Sequence, residues 1–232
     1  MTQDLSSRPL LVFDLDGTLA DTAADLISTL NAILVREGFA AISFPNARAM
    51  VGAGAKALVQ RGLKANGVEA SEQQLDELFT DYLAHYEAHI ADETVLYPGV
   101  IAALDRFAKA GWSFAVCTNK IEYSSVLLLT ALGVAERFQA ICGKDTFSVS
   151  KPDGEALLLT IAKAGGDPRR AIMVGDSRTD IDAARNANVP VVAVNFGYTD
   201  LPVETFNPDR VIGHFDELWD AVQGLSEVFH VA

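Results

Sequence analysis

The chain has 232 residues, 50% of them hydrophobic and 21% charged, with a formal net charge of −13. That much apolar material excludes a disordered chain and suffices for a sizeable core. The acidic balance argues against nucleic acid or an anionic membrane surface as partner, so an anionic substrate must be captured by local cations or a metal ion.

Residues Met1 to Arg8 are polar and carry no apolar signal core, and no apolar run approaches a membrane span. Cys117 and Cys142 lie in short apolar runs and read as buried thiols. Together these features predict a cytoplasmic protein.

The first predicted strand is Pro9 to Phe13, apolar without alternation, as in a strand covered on both faces of a parallel sheet. It ends on Asp14-Leu15-Asp16-Gly17-Thr18. Two carboxylates about 4 Å apart repel by roughly 4 kcal/mol at an effective dielectric near 20. A divalent cation removes that cost and can also bind phosphate oxygens.

A long helical stretch follows. Thr22–Glu37 has Leu26, Ile27, Leu30, Ile33 and Leu34 at helical spacing, with Thr22 and Asp25 as a capping box and Gly38 as a stop. A second pattern runs from Ala47 to Asn66, broken by Gly52 and Gly54, and a third from Gln74 to Ile90. About 100 residues separate the first strand from the next, whereas a βαβ crossover needs about a dozen. The excess predicts a helical domain inserted after the first strand. The expected division is 1–19 with 97–232 as an α/β core and 20–96 as a helical cap.

Beyond Leu96-Tyr97-Pro98-Gly99, a helix over Val100–Ala110 leads to a second strand, Ser113–Cys117, followed by Thr118-Asn119-Lys120. The third strand, Phe138–Cys142, precedes an irregular stretch with Lys151-Pro152. The fourth, Ala171–Val174, leads into Gly175-Asp176-Ser177-Arg178-Thr179-Asp180. Val191–Val194 and an edge strand at Arg210–Ile212 complete a doubly wound, mostly parallel sheet.

Each polar cluster alone has an ordinary reading as a turn, a helix cap or a surface lysine. Jointly they follow four strands of one sheet, at the edge where open α/β folds bind ligands. They also supply what phosphoryl transfer needs: a nucleophile, an acid–base group, charge neutralisation and metal ligands.

These motifs, Asp14-x-Asp16-Gly17-Thr18, Thr118-Asn119, Lys151-Pro152 and Gly175-Asp176-Ser177-x-x-Asp180, resemble those of the haloacid dehalogenase-like superfamily over nearly the whole chain. Within it, Val51-Gly52-x-Gly54-Ala55, Leu96 to Val100, Phe196-Gly197-Tyr198 and Pro208-Asp209 look most like the bacterial phosphoglycolate phosphatases. One position departs from the pattern: Gly154 stands where such phosphatases usually have a second proline, which would loosen the loop presenting Lys151.

The resemblance implies a magnesium-dependent phosphatase for a small phosphorylated metabolite, 2-phosphoglycolate above others. It implies Asp14 as nucleophile and Asp16 as acid–base. Asp14, the Asp16 carbonyl and Asp176 would hold magnesium. Gly17, Thr118, Asn119 and Lys151 would hold the phosphoryl group, with Asp180 in support. The glycine-broken cap segment, with Arg48, Gly54 and Lys56, is expected to read the leaving group. A pyrophosphatase, another small-metabolite phosphatase, a phosphomutase and, from a different class, a non-catalytic binding module are the alternatives. Oligomeric state stays open. His85 and His89 lie four apart on one helix, a spacing that zinc ligands can share, but read as an ordinary surface or interface pair.

Overall fold

The apolar runs form the predicted strands. In the computed structural model, which describes residues 8–48, 50–52, 54–199 and 201–226, β1 is Leu10–Phe13. The polar leader 1–7 lies outside the described residues. A two-residue strand β2, Ala20–Asp21, leads into four helices: α1 Ala23–Arg36, α2 Phe44–Arg48, α3 Ala55–Ala65 and α4 Glu72–Ala88. The chain returns through β3, Val95–Leu96, to α5 Val100–Lys109 and β4 Ser113–Cys117. Then come α6 Glu122–Ala131, β5 Ala140–Cys142, α7 Gly154–Lys163, β6 Ala171–Gly175, α8 Arg178–Asn186, β7 Val191–Val194, β8 Arg210–Ile212 and α9 Leu218–Ser226.

The main sheet has the order β5-β4-β1-β6-β7-β8, and every pairing is parallel. Alternate residues of each strand feed opposite layers. Leu11, Phe13, Phe114 and Val116 join the layer under α5, α6 and α9, whereas Leu10, Val12, Ala115 and Cys117 join that under α7 and α8. Both faces are therefore apolar, which explains why the strands show no alternation. From β1 the chain steps outward to β4 and β5, then crosses back to β6, β7 and β8. β1 thus lies at the topological switch point, and its carboxyl end opens into the crevice where such sheets bind ligands.

The inserted helices pack on one another and share the larger apolar cluster. Gly62 lets α3 approach α1, since a Cβ there would lie 2.8 Å from Leu30 Cδ1. Tyr82 and Tyr86 of α4 are buried with nearly parallel rings, centroids 6.2 Å apart. The predicted break at Gly52 and Gly54 separates α2 from α3, and both glycines have positive φ.

The expected capping box of α1 does not form. Thr22 makes no side-chain cap bond. Asp25 instead accepts from Glu93 N at 3.0 Å, Thr94 N at 2.9 Å and Thr94 Oγ1 at 2.7 Å. A buried carboxylate gains more from three converging donors than from one helical N–H. Asp25 therefore ties the start of the insertion to its end, beside the antiparallel β2–β3 pair. The third strand also begins later than expected, because Phe138 N closes the preceding turn onto Ala135 O. No helix among the described residues is long and apolar enough to cross a membrane.

Candidate active site

The residues after β1 set the geometry. Asp14 continues the strand, its N–H donating to Val174 O at 2.9 Å. Gly17 then turns the chain at φ +84°, and a Cβ there would lie 2.5 Å from Asp176 Oδ2. Only glycine satisfies both the backbone and the contact.

Lys151 is the centre of the buried network. Its Nζ donates to Asp14 Oδ1 at 2.8 Å and to Asp180 Oδ1 at 2.6 Å, with the lysine side chain 2% exposed. Asp180 is fully buried, and its other oxygen accepts from Asp176 N, Ser177 N and Ser177 Oγ. It anchors both Lys151 and the loop after β6. Asp176 accepts from Tyr198 N at 2.6 Å and from Thr18 Oγ1 at 3.3 Å.

The charges do not balance. Asp14, Asp176 and Asp180 offer carboxylate oxygens within 4.8 Å of one another, against the single ammonium of Lys151. Burial pushes the Asp14 carboxyl up to about 6, with Lys151 offsetting only part of the effect. Burial, then repulsion from Asp180 and Asp14, pushes Asp176 well above its ordinary value. Burial disfavours the Lys151 ammonium, but Asp14 and Asp180 outweigh it and hold the lysine charged. A buried set of hard oxygen donors with surplus negative charge fits a divalent cation.

Asp16 faces a different partner. Both of its carboxylate oxygens accept from Lys120 Nζ, at 3.0 and 3.2 Å. Thr118, buried at the end of β4, accepts from Lys120 N at 3.2 Å. Asn119 Nδ2 donates to Lys151 O at 3.0 Å and so ties the loop after β4 to that after β5. The Lys151–Pro152 peptide is cis, and Pro152 O accepts from Asn186 Nδ2. Gly154, expected to loosen this loop, is instead closely packed: a Cβ there would lie 2.6 Å from Ala187 N. The neighbouring end of α8 leaves no room for a larger residue.

A cavity of about 330 Å³ lies between the sheet edge and the inserted helices. Asp14, Asp16, Thr118, Asn119, Lys151 and Asp176 line its floor, and Gly54, Lys56, Tyr82 and Tyr86 line its helical side. A Cβ on Gly54 would have Asn119 O as its nearest neighbour, at 3.9 Å, so this turn stands directly over the loop after β4. Arg48 lies outside the lining, its guanidinium 5.2 Å from the Tyr198 ring centroid and 4.0 Å from Asp21. Cation–π attraction and the nearby carboxylate hold it at the foot of the insertion. His85 and His89 face Thr29 and Asp92, away from the cavity lining.

Sequence reasoning missed the role of Tyr198. Its hydroxyl donates to Asp21 Oδ1 at 2.5 Å and accepts from Thr22 N and Ala23 N, while its amide holds Asp176. The only signal was its place in Phe196-Gly197-Tyr198 just after β7; a Cβ on Gly197 would lie 2.2 Å from Asp176 Oδ2.

A family profile described as haloacid dehalogenase-like hydrolase matches residues 11–194. The chain is 49% identical over 212 residues to a phosphoglycolate phosphatase of Mesorhizobium japonicum, covering 91% of this chain and 93% of that one. It is 47% identical over 214 residues to a phosphoglycolate phosphatase of Agrobacterium fabrum, covering 92% of each. Among solved structures, a predicted phosphoglycolate phosphatase from Haemophilus somnus superposes with a TM-score of 0.86 at 28% identity, covering 93% of this chain and 98% of that one.

Proposed function

Since this chain belongs to the haloacid dehalogenase-like hydrolases, we propose that it is a phosphatase that hydrolyses a small phosphomonoester, 2-phosphoglycolate above others, through an aspartyl-phosphate on Asp14. The observation that carries this reading is the pairing of two aspartates, two residues apart, with two different lysines. Asp14 is held by Lys151 and Asp16 by Lys120, on the floor of one cavity.

In this reading an oxygen of Asp14 attacks phosphorus, and the ester P–O bond breaks. Asp16 gives its proton to the leaving oxygen. A water then attacks the aspartyl-phosphate, returns a proton to Asp16, and releases inorganic phosphate and the Asp14 carboxylate. Thr118 and the backbone at Asn119 hold phosphoryl oxygens, and Gly17 leaves them room. Lys151 neutralises charge on the nucleophile, and Asp180 positions Lys151 without touching substrate. The carboxylates of Asp14 and Asp176 and the main-chain carbonyl of Asp16 would hold magnesium, which when bound stabilises negative charge on the phosphoryl oxygens. Residues 20–96 act as the cap, with Gly54 and Lys56 facing the leaving group. The buried free thiols Cys117 and Cys142, side by side on neighbouring strands, suit a reducing cytoplasm.

The substrate assignment rests on the relatives named phosphoglycolate phosphatase. It is tested by a phosphate-release screen over small phosphorylated metabolites with magnesium. Turnover of 2-phosphoglycolate above the rest is the expected result. Phosphate release from none of them overturns the assignment.

A further inference from the structure

The motifs after the strands deal with phosphorus and metal, and none of them can choose a leaving group. The choice must be made by groups that face the cavity beyond Asp16. Four lysines line that cavity: Lys56, Lys120, Lys144 and Lys151. Lys151 already serves Asp14 and Asp180. Lys56 is 40% exposed and paired with Asp76, and Lys144 is exposed. Lys120 differs from all three. Its side chain is 7% exposed, and among the described residues its only ion pair is with Asp16.

Lys120 also meets the helical side of the cavity. Its Nζ lies 4.4 Å from the centroid of the Tyr86 ring on α4. The Tyr86 hydroxyl is buried with no acceptor in hydrogen-bond geometry, its polar neighbour being the Lys120 ammonium, and Tyr86 belongs to the cavity lining. An ammonium can only donate, so the phenol proton still lacks an acceptor, which an oxygen of a ligand would supply. An ammonium and a phenol that flank one space are both donors, and both suit a carboxylate.

The spacing fits a short acid. Asp16 contacts the bridging oxygen in the proposed reaction, and Lys120 stands 3.0 Å from Asp16. In 2-phosphoglycolate one methylene separates the bridging oxygen from the carboxylate. A substrate whose bridging oxygen meets Asp16 therefore carries its carboxylate to Lys120. The lysine also screens that carboxylate from Asp16, which would otherwise repel it.

We propose that Lys120, with the Tyr86 hydroxyl, binds the carboxylate of the leaving group and makes the enzyme selective for phosphate esters of short 2-hydroxy acids. This inference rests on the phosphatase reading and adds the specificity-determining residues to it.

The test compares 2-phosphoglycolate with ethyl phosphate, which has the same two-carbon skeleton and no carboxylate. The readout is the ratio of their kcat/KM values in the unaltered enzyme and in Lys120→Met, with magnesium. The unaltered enzyme should favour phosphoglycolate, and Lys120→Met should lower the ratio by about 10- to 100-fold, the worth of one hydrogen bond to a charged group. Tyr86→Phe removes only a hydroxyl and should lower the ratio less while the fold is kept, which serves if Lys120→Met is unstable. A ratio unchanged in both variants overturns the inference, because Lys120 would then act on Asp16 alone. So does an unaltered enzyme with no preference for the carboxylate. Should the unaltered enzyme hydrolyse neither compound, the phosphatase reading falls by itself. The same ratio is then measured as binding by calorimetry, where turnover no longer interferes, and is judged by the same outcomes.

Discussion

Tyr198 donates its backbone N–H to Asp176 Oδ2 at 2.6 Å, so the loop after β7 fixes a carboxylate that follows β6. The hydroxyl of the same tyrosine takes the N–H groups of Thr22 and Ala23 at the start of α1, where Thr22's own side chain makes no cap. One residue thus serves both the acidic cluster and the foot of the inserted helices. Tyr198→Phe keeps the backbone bond and loses the hydroxyl. It should cost about 1–3 kcal/mol, because buried donors are left unpaired. Denaturant unfolding measures this. A loss near zero would show that those N–H groups find other partners.

Asp14→Asn keeps size and removes the proposed nucleophile. Phosphate release should vanish while the fold stays. Asp14 is buried with its carboxyl pushed up to about 6, so the neutral amide relieves a charge that the site holds at a cost. The metal-free variant should melt no lower than the metal-free parent near neutral pH. Release of phosphate at even a tenth of the parental rate, after deamidation is excluded by mass spectrometry, contradicts a covalent role for Asp14.

Chelation of divalent cations should abolish activity, and the effect of magnesium on stability should depend on pH. Burial raises Asp14 from 3.8 to about 6 in the folded chain. Between those values the folded, metal-free protein binds a proton that the unfolded chain has lost. The contribution of this group to stability therefore falls as pH rises through that window and levels off above it. Magnesium takes the place of the proton, so its stabilising effect should grow over the same range. At about 100 times its dissociation constant a ligand adds about 2.7 kcal/mol. A magnesium-induced rise in Tm that is equal at about pH 5 and about pH 7 would contradict the linkage.

Lys151→Met leaves Asp14 and Asp180 without their shared cation. Removing one member of a buried ion pair costs about 3–5 kcal/mol, so this should be among the most damaging single changes in the chain. Adding Asp180→Asn removes one stranded charge and should restore part of the stability. Thermal melts of the single and double variants, arranged as a cycle, measure the coupling. Simple additivity would mean that the two residues do not act as a pair.

Gly54→Val tests the turn over the loop after β4. The position has φ +88°, and a Cβ would meet nothing closer than Asn119 O at 3.9 Å. The damage should come from the backbone, which a β-branched residue forces away from this conformation. The kcat/KM for phosphoglycolate should fall more than that for nitrophenyl phosphate, whose good leaving group demands less of the surrounding contacts. Equal losses would assign the turn to closure or folding.

The strand ends were legible because polar residues directly follow unbroken apolar runs. A doubly wound sheet then brings Asp14, Thr118, Lys151 and Asp176 to one edge. The partner of each charge was not legible. Nothing in Thr118-Asn119-Lys120 says that this lysine reaches Asp16, which is 104 residues away. Tyr198 carried no signal beyond its place in Phe196-Gly197-Tyr198, because its two functions arise only where β7 passes beside β6. Asp25 looked like a helix cap because capping is a local pattern, whereas the donors it accepts are 68 and 69 residues distant. The two-residue strands β2 and β3 are too short to leave any periodicity. Arg48 stands outside the cavity lining for a similar reason: proximity in sequence to Gly52 and Gly54 does not place it on their side of the turn.

The β2–β3 pair gives the molecule a modular seam. Ala20 pairs with Leu96 and Asp21 with Val95, so the chain leaves and rejoins the sheet domain at points one ladder spacing apart. Everything from residue 22 to residue 94 is a closed excursion whose length does not enter the register of the six parallel strands. Lys120 and Tyr86 lie on opposite sides of this seam, so their 4.4 Å contact joins the excursion to the loop after β4.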